Sequence, residues 1–486
     1  MLLSEILEPS ELRGYEELSD LDIKNITDKS YEADGESVFV ALRGQRRDGR
    51  DFIPDAVGRG CRVILSESPC EKLRGVLVVS CEGAVKRLAR IAAKIYGNPE
   101  RKIKILAVTG TKGKTTTAYF LYEALKQKFG KCLLISTVGV KGISEKDMLT
   151  DNTTPSSCVI YKLLSEAVQE GVKHAVIEAS SQGVMCGRLE GLHFNISLFT
   201  NFSEDHIGAA EHSDIDEYFS WKRRIFEGDL CDLAVLNSDD IYAEKIAKAA
   251  RRAIKCGKGK EADYKISDIE PIRGGCRFYL NGEAFSISMP GAYNAQNAAL
   301  ALAAASELTG DSPAAFREAL RRTRVPGRYE VYLKGNRRAV IDYAHNGESL
   351  EKICKEVRGE IKGRLILLFG SVGGRVRSRR GALARAAEKY ADLSVLTSDN
   401  PDEEPPLAIL SEIADGFTDK RKYIIAEDRC AAIRIALSLL AEGDALILAG
   451  KGHENFQLVG GERLPFSEKD ILAEQGFLPV DAEDNI

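Results

Sequence analysis

Short apolar runs separated by helical stretches recur along most of the chain. Residues 103–108, 131–137 and 364–370 are examples of such runs. A continuous apolar run is typical of a parallel strand that is buried on both faces, because helices cover both faces of such a sheet. The pattern therefore predicts an α/β fold with mainly parallel sheets.

Changes in this pattern divide the 486 residues into three predicted domains. Residues 1–100 contain a strand-like stretch at 37–44, two further strands and a helix at 83–96, which predicts a small α/β domain. Residues 101–326 predict a central parallel-sheet domain, in which short alternating strands at 264–290 precede an alanine-rich helix. Residues 327–486 again alternate strand and helix, which predicts a second doubly wound, Rossmann-like sheet.

Composition narrows the class of function. The net charge is −5 and no long basic run is present, so the sequence gives no sign of a nucleic-acid-binding surface. The 11 cysteines lack metal-ligand spacing, which indicates reduced thiols. Neither a signal peptide nor an apolar run of membrane-spanning length is evident. We therefore expect a cytoplasmic protein without membrane insertion, and we expect it to be a monomer.

A glycine-rich segment directly follows the strand at 103–108. Residues 109–116 read TGTKGKTT and lead into a helical stretch. Backbone N–H groups of such a loop, together with the positive end of the helix, bind phosphate. Lys114 would reach the outer phosphates and Thr115 would hold Mg²⁺. Only two residues separate Gly110 from Gly113, where the usual phosphate loop has about four, so a structural turn is the alternative.

Acidic and histidine side chains follow two other strands of the same predicted sheet. Glu178 ends the strand in VIEASS, and Asp205 and His206 follow the next strand. Ligands of open parallel sheets bind beyond the carboxyl ends of the strands. Glu178 is therefore interpreted as a magnesium ligand or, alternatively, as a surface glutamate. His206 is within reach of the same cavity, although a lone histidine is more often structural.

Lys222 lies on an apolar helical face. Ile215, Phe219 and Phe226 occupy the same face at helical spacing. Burying an ammonium group is costly, and a buried lysine has a more reactive amine. The pattern leaves two interpretations open, a buried reactive lysine or a lysine whose side chain extends to the surface.

Polar residues also follow strands of the third domain. Arg328 follows a hinge-like Val-Pro-Gly, and Asp342 ends a strand, so they suit the phosphate and the ribose of a nucleotide bound between the second and third domains. Residues 398–402 and 450–454 follow two further strands. These two loops would suit a small polar ligand, or they are plain turns.

Taken together, these motifs resemble those of the Mur ligase family. The segments TGTKGKTT, IEASS, TNFSEDH, YFSWKRRIF, GAYNAQNAA, PGRYE, IDYAH, SDNP and AGKGHE occur in the family's order and span nearly the whole chain. Within the family, the chain is similar to the MurE-type branch, which adds the third amino acid of the peptidoglycan stem peptide. Residues 37–57 resemble the UDP-binding domain of that branch.

The resemblance implies a role for each site residue. The implied catalytic residues and Mg²⁺ ligands are Lys114, Thr115, Glu178, His206 and Lys222, with Lys222 carbamylated by carbon dioxide. The implied ATP contacts are Gly110, Thr111, Lys112, Gly113, Lys114, Thr115, Thr116, Asn297, Arg328 and Asp342. The implied contacts to the UDP-linked substrate are Ser30, Thr153, Thr154, Ser181 and Arg188. The implied contacts to the incoming amino acid are Asp399, Asn400, Asp402, Gly450 and Glu454.

The chain departs from the family's motifs in ways that bear on the substrate. The family's Asp-Ser-Arg near the uridine is Asp28-Lys29-Ser30 here. Diaminopimelate-adding enzymes carry Asp-Asn-Pro-Arg, whereas this chain has Asp402 in place of the arginine. An arginine would bind the second carboxylate of diaminopimelate bidentately, while an aspartate favours an ammonium group. The resemblance therefore predicts L-lysine as the added amino acid, with ornithine next.

The implied reaction joins a diamino acid to the D-glutamate γ-carboxylate of UDP-MurNAc-L-Ala-D-Glu through an acyl phosphate, with ATP and Mg²⁺. Phosphoryl transfer of this kind depends mainly on positioning and charge stabilisation. The alternatives are a Mur-like ligase that adds diaminopimelate or D-Ala-D-Ala, a folylpolyglutamate synthetase, and a degenerate nucleotide-binding module that holds substrate without turnover.

Overall fold

A computed structural model describes residues 1–44, 48–71, 73–143, 152–203, 212–272, 274–374 and 377–480. The chain forms two compact units. The first consists of Met1–Ile266 and Asn297–Phe316, and the second of Ser267–Gln296 and Arg317–Ile486. The three domain ranges drawn from the sequence remain predictions.

The first unit begins with a four-stranded parallel sheet whose strands lie in chain order. The strands are Asn25–Thr27, Ser37–Ala41, Val63–Ser66 and Leu77–Ser80. The helices in this part of the chain are Leu3–Ile6, Ile53–Gly58 and Ala84–Ile95. The helix Ala84–Ile95 buries Leu88, Ile91 and Ala92, which lie on one face at helical spacing.

A larger sheet carries the phosphate loop of the first unit. Eight of the ten strands of this sheet occur in the order Tyr264–Ile272, Ala253–Gly257, Cys231–Asn237, Phe194–Phe199, Lys104–Thr109, His174–Glu178, Leu133–Ser136 and Gly139–Lys141, and all the pairings among these eight are parallel except the last. The helices of this region are Lys114–Phe129, Ser157–Gln169, Ser181–Met185, Ile215–Arg224, Ala243–Ala247 and Ala292–Thr309. The strand Lys104–Thr109 lies in the middle of these strands and is almost wholly buried.

The second unit contains a seven-stranded sheet. Its strands occur in the order Tyr423–Ile425, Leu393–Leu396, Leu365–Phe369, Ala445–Ala449, Arg337–Asp342, Glu330–Lys334 and Leu478–Pro479, of which the first five are parallel. Its helices are Arg317–Arg322, Gly347–Glu360, Ser378–Tyr390, Pro406–Asp415, Arg429–Ser438 and Glu468–Glu474. Two antiparallel hairpins, Gly275–Leu280 with Glu283–Ile287 and Phe456–Val459 with Glu462–Pro465, complete the unit.

The predicted α/β class with parallel sheets is confirmed, and three details of the prediction differ. The strand-like stretch at 37–44 ends at Ala41. Phe226 is buried but follows the helix Ile215–Arg224 rather than lying in it. Several short or mixed-exposure strands were not anticipated, because antiparallel edges and hairpins lack the continuous apolar run of a buried parallel strand; these are Gly139–Lys141, Glu330–Lys334, Phe456–Val459, Glu462–Pro465 and Leu478–Pro479.

Each of the 11 cysteines is a free thiol. Within the residues that the structure describes, no helix combines the length and the apolar character needed to cross a membrane.

Candidate active site

Parallel register brings the ends of three strands together in the first unit. Val108 pairs with Glu178 on one side and with Leu198 on the other. Gly110, Ala179 and Thr200 therefore follow their strands at the same edge of the sheet. This is the edge at which open parallel sheets bind ligands.

The glycines of the phosphate loop, residues 110–114, are required by close packing. Gly110 has a φ of +148°, and a Cβ there would lie 1.9 Å from the Thr200 hydroxyl oxygen. Gly113 has a φ of +81°, and a Cβ there would lie 2.4 Å from Oδ1 of Asn297. Only glycine adopts these backbone conformations without strain and also fits the space that is left for a side chain. The helix Lys114–Phe129 then starts directly after Gly113, as the sequence predicted.

Two lysines donate hydrogen bonds to one carbonyl oxygen of this loop. Nζ of Lys114 lies 3.0 Å from the Gly110 oxygen and 3.1 Å from the Thr111 oxygen. Nζ of Lys222 lies 2.8 Å from the same Gly110 oxygen. Two positively charged groups thus lie at this loop.

Lys222 is buried, which decides between the two interpretations that the sequence left open. Its side chain is 1% exposed, and its Nζ lies 4.5 Å from the centre of the Tyr218 ring. The alternative of a lysine that extends to the surface is wrong. A buried ammonium needs compensation, and the Gly110 carbonyl and the Tyr218 ring supply part of it.

Glu178 is also fully buried, so the surface-glutamate interpretation is wrong. One carboxylate oxygen, Oε2, accepts hydrogen bonds from the hydroxyls of Thr115 at 3.2 Å and Thr137 at 3.1 Å, and Oε1 accepts one from the Thr137 backbone N–H at 3.0 Å. The Thr115 hydroxyl and the Glu178 carboxylate are hard oxygen donors, which suits Mg²⁺. Among the described residues, no three His, Cys, Asp or Glu side chains converge as a metal cluster.

A histidine and a tyrosine that the sequence analysis missed connect the loop to a neighbouring helix. Nε2 of His212 lies 3.0 Å from the Ser181 hydroxyl, and the His212 ring lies 5.0 Å from that of Tyr218. The Tyr218 hydroxyl donates to Oγ1 of Thr111 at 3.3 Å. The tyrosine shares its helix with Lys222, but no periodic signal marked His212. The histidine that the sequence did predict, His206, lies outside the described residues.

Four of the five residues assigned to the UDP-linked substrate lie near Glu178. The Thr154 hydroxyl donates to the Glu178 backbone oxygen at 2.7 Å, and Arg188 donates to the Thr154 oxygen at 2.9 Å. The Thr153 hydroxyl accepts a hydrogen bond from that of Thr137 at 3.0 Å. Ser181 begins the short helix that follows the Glu178 strand.

Ser30 does not join this group through a hydrogen bond. Its hydroxyl donates to Asp55, which lowers the pKa of that carboxyl. Its neighbour Asp28 instead accepts a hydrogen bond from the Ser156 hydroxyl at 3.1 Å, so Asp28 connects the N-terminal sheet to the segment that carries Thr154.

In the second unit, Asp342 and Arg328 lie close to one another. The Asp342 carboxylate accepts backbone hydrogen bonds from Tyr329 at 2.9 Å and Ala344 at 2.8 Å. Desolvation raises the pKa of Asp342, and the positive charge of Arg328 opposes that rise. The Arg328 guanidinium stacks 4.3 Å from the centre of the Tyr343 ring, which holds it in a defined direction.

The two loops at 398–402 and 450–454 are joined by polar side chains rather than forming separate turns. Nδ2 of Asn400 donates to Oε2 of Glu454 at 2.9 Å. Asp399 is 3% exposed, and burial raises the pKa of its carboxyl. Asp402 has a φ of +53°, and its Oδ1 accepts the Gly461 N–H at 3.0 Å, so this side chain also anchors the hairpin.

Comparison with known proteins shows which families and proteins the chain is similar to. The sequence profile of the Mur ligase middle domain matches residues 108–305, and that of the Mur ligase glutamate ligase domain matches residues 327–452. A protein of Aquifex aeolicus (strain VF5), named UDP-N-acetylmuramoyl-L-alanyl-D-glutamate–2,6-diaminopimelate ligase, is 35% identical over 456 residues, which cover 93% of each chain. A protein of the same name from Caldanaerobacter subterraneus subsp. tengcongensis is 34% identical over 468 residues, which cover 93% of this chain and 95% of its own.

A solved structure of a ligase of that name is similar over almost its whole length. The TM-score is 0.64 with 26% sequence identity, and the match covers 98% of this chain and 99% of the other.

The contact between Gly113 and Asn297 predicts the effect of adding one methyl group. Gly113→Ala places a Cβ against the amide in addition to about 1–2 kcal/mol of left-handed backbone strain. We expect at least a tenfold loss of affinity for a non-hydrolysable ATP analogue with Mg²⁺, measured by calorimetry. Gly130→Ala is the matched control, because Gly130 has a φ of +76° with nothing within 4 Å of its Cβ position. Equal affinities of the two variants would contradict the packing argument.

Proposed function

The chain belongs to the Mur ligase family of ATP-dependent ligases, and on that basis we propose that it adds a diamino acid to UDP-MurNAc-L-Ala-D-Glu. The product is an amide between the D-glutamate γ-carboxylate and the α-amine of the incoming amino acid. The observation that carries this proposal is the phosphate loop with buried Glu178 and Lys222 at the same sheet edge. The names of the two bacterial relatives support the nucleotide-linked dipeptide as substrate.

In the first half of the reaction, the γ-carboxylate attacks the γ-phosphorus of ATP, an acyl phosphate forms and ADP leaves. We assign Lys114 and the backbone N–H groups of residues 110–116 to the phosphates of ATP. Thr115, Glu178, a carbamylated Lys222 and His206 would hold Mg²⁺, which offsets charge on the phosphoryl oxygens. The hydrogen bonds of Lys114 and Lys222 to the Gly110 oxygen support this assignment, because they place both side-chain nitrogens at the same loop.

The remaining nucleotide contacts are assigned to Asn297 in the first unit and to Arg328 and Asp342 in the second. The UDP-linked substrate is assigned to Thr153, Thr154, Ser181 and Arg188, with Ser30 toward the uridine. The contacts of Thr154 with the Glu178 backbone and with Arg188 support the first four.

In the second half of the reaction, the amino acid attacks the acyl phosphate carbon, the amide forms and phosphate leaves. We assign Asp399, Asn400, Asp402, Gly450 and Glu454 to the incoming amino acid. The acidic character of this set supports a diamino acid with a cationic side chain, and we propose L-lysine. The second candidate is diaminopimelate, which is favoured by the names of the relatives at 34% and 35% identity. The cytoplasmic location and the monomeric state remain predictions from the sequence.

The proposed function is tested by offering ATP, Mg²⁺ and UDP-MurNAc-L-Ala-D-Glu with lysine, ornithine or diaminopimelate in separate reactions. We expect an adduct with the mass of the lysine-containing tripeptide. An adduct with diaminopimelate alone would retain the ligase and overturn the lysine specificity. Absence of any adduct, with ATP still bound, would favour a degenerate binding module.

Lys222 gives a second test. Lys222→Ala should reduce turnover by roughly 10²–10³-fold or more, because a charge stabiliser is removed from the phosphoryl-transfer site. The affinity for the UDP-linked substrate should stay within about threefold of wild type, measured by calorimetry. Lys245→Ala is the control, since Lys245 lies over the rings of Phe219 and Tyr242 but is exposed. Turnover of Lys222→Ala equal to that of the control would remove Lys222 from the mechanism.

Asp402 tests the choice of amino acid. Asp402→Asn keeps an oxygen acceptor for the Gly461 N–H and tolerates the positive φ, but it removes the charge. We expect the KM for lysine to rise roughly tenfold, which corresponds to a charged hydrogen bond of about 1.5 kcal/mol. Asp402→Arg should further favour diaminopimelate over lysine. An unchanged KM for lysine in both variants would mean that Asp402 only anchors the hairpin.

A further inference from the structure

The ammonium group of Lys451 is fully buried and links the two loops assigned to the incoming amino acid. Lys451 is 0% exposed, although the two glycines that flank it and its place at a strand end give no apolar pattern that predicts burial. The cost of burying an ammonium is large unless it is paired and hydrogen-bonded. The hydrogen-bond and charge partners of Lys451 therefore explain how its burial is compensated.

The partners of Lys451 form a closed triangle of hydrogen bonds. Nζ of Lys451 donates to Oδ1 of Asn400 at 2.7 Å and to Oε2 of Glu454 at 2.8 Å. Nδ2 of Asn400 donates to the same Oε2 at 2.9 Å. The triangle fixes the orientation of the Asn400 amide, because Oδ1 also accepts the Leu458 N–H at 2.9 Å. The Lys451 side chain thus fixes the position of one loop relative to the other.

Charge balance gives a second reason for the lysine. Oδ1 of buried Asp399 lies 3.8 Å from Nζ of Lys451, so the ammonium lies near two carboxylates. Without it, Asp399 and Glu454 would repel one another in a poorly solvated place. Lys451 offsets this repulsion, together with Arg429 and Arg379, whose positive charges also act on Asp399.

The hydrogen bonds of Glu454 involve only one of its two carboxylate oxygens, which leaves the other one for a ligand. Both side-chain bonds to Glu454 use Oε2, and Oε1 accepts none from the residues that the structure describes. The Glu454 side chain is 18% exposed, so the carboxylate has access to solvent. Because the carboxylate is already held in place, binding an ammonium group to it costs little further conformational entropy.

We propose that Lys451 is a positioning residue for the incoming amino acid, which acts by holding Asn400 and Glu454 so that Oε1 of Glu454 receives an ammonium group of the substrate. This inference rests on the proposed function. It deepens that function by adding a residue that acts through Asn400 and Glu454 rather than by touching the substrate. The first half-reaction, which consumes no amino acid, does not depend on Lys451.

The test compares the two half-reactions of Lys451→Met with those of the wild type. Reversible formation of the acyl phosphate and ADP is measured, without any amino acid present, as migration of ¹⁸O from the β,γ-bridging position of labelled ATP to a β-nonbridging position. We expect this rate to stay within about threefold of wild type. We expect the KM for lysine to rise roughly 10- to 100-fold, the range of a charged hydrogen bond. An unchanged KM, or equal losses in both half-reactions, would overturn the proposal.

Arg380→Met is the matched control for the loss of a buried cation. Arg380 is 2% exposed and pairs with Glu404 at 2.7 Å and Glu412 at 2.8 Å, without a hydrogen bond to Asn400 or Glu454. We expect a lower melting temperature and a KM for lysine within about threefold of wild type. If Arg380→Met raises this KM as much as Lys451→Met does, the effect is a general one of losing a buried charge and the proposal fails.

A double variant decides the case in which Lys451→Met does not fold. Lys451→Met with Glu454→Gln removes both charges of the pair, so no uncompensated partner is left from that pair. Under the proposal, the KM for lysine of the double variant stays within about threefold of that of Glu454→Gln alone, because Lys451 acts through Glu454. A further tenfold rise would contradict it. If the wild type forms no product with any diamino acid, the proposed function fails rather than this inference.

Discussion

Two ammonium groups donate hydrogen bonds to one backbone oxygen at the start of the glycine-rich loop, and the function proposed for the first unit depends on this contact. Lys114 and Lys222 donate to the Gly110 oxygen at 3.0 and 2.8 Å. Like charges this close repel each other strongly where solvent screening is weak. A bound phosphate lowers the energy of both groups, and conversion of Lys222 to a carbamate would reverse one of the two charges.

Parallel register brings polar residues at the ends of neighbouring strands together in both units. Glu178 reaches Thr115 because its strand pairs with the one that leads into the loop. In the second unit, Asp342 pairs with Ala449, and the Gly450 N–H donates to the Asp342 oxygen at 3.1 Å. A residue assigned to the nucleotide is therefore bonded to the first residue of a loop assigned to the amino acid.

The strands and their polar ends were predictable because a buried parallel strand is a continuous apolar run. The burial of Lys222 was predictable as one of two outcomes, because helical periodicity places it beside Phe219. His212, Thr137 and Lys451 were not predicted as site residues. Their roles depend on contacts between segments far apart in sequence, such as that of Lys451 with Asn400, and neither periodicity nor composition records such contacts. Thr137 and Lys451 did have an available signal, since both lie just after a strand.

Asp402 shows a further limit of sequence reasoning. Asp402 was interpreted only through the charge that it brings, yet its Oδ1 also accepts the Gly461 N–H. A single side chain can thus have a structural and a recognition role, and only the geometry separates the two. The same holds for Thr154, whose hydroxyl is bonded to the Glu178 backbone.

A carbamate on Lys222 would replace one of the two positive charges at the Gly110 oxygen by a negative one. This proposal is tested most directly by ¹³C NMR of the protein in ¹³C-bicarbonate with Mg²⁺ and an ATP analogue. We expect one carbamate carbonyl resonance in the wild type that is absent from Lys222→Arg. A wild-type spectrum without such a resonance, or the same resonance in the variant, would contradict this account of the site.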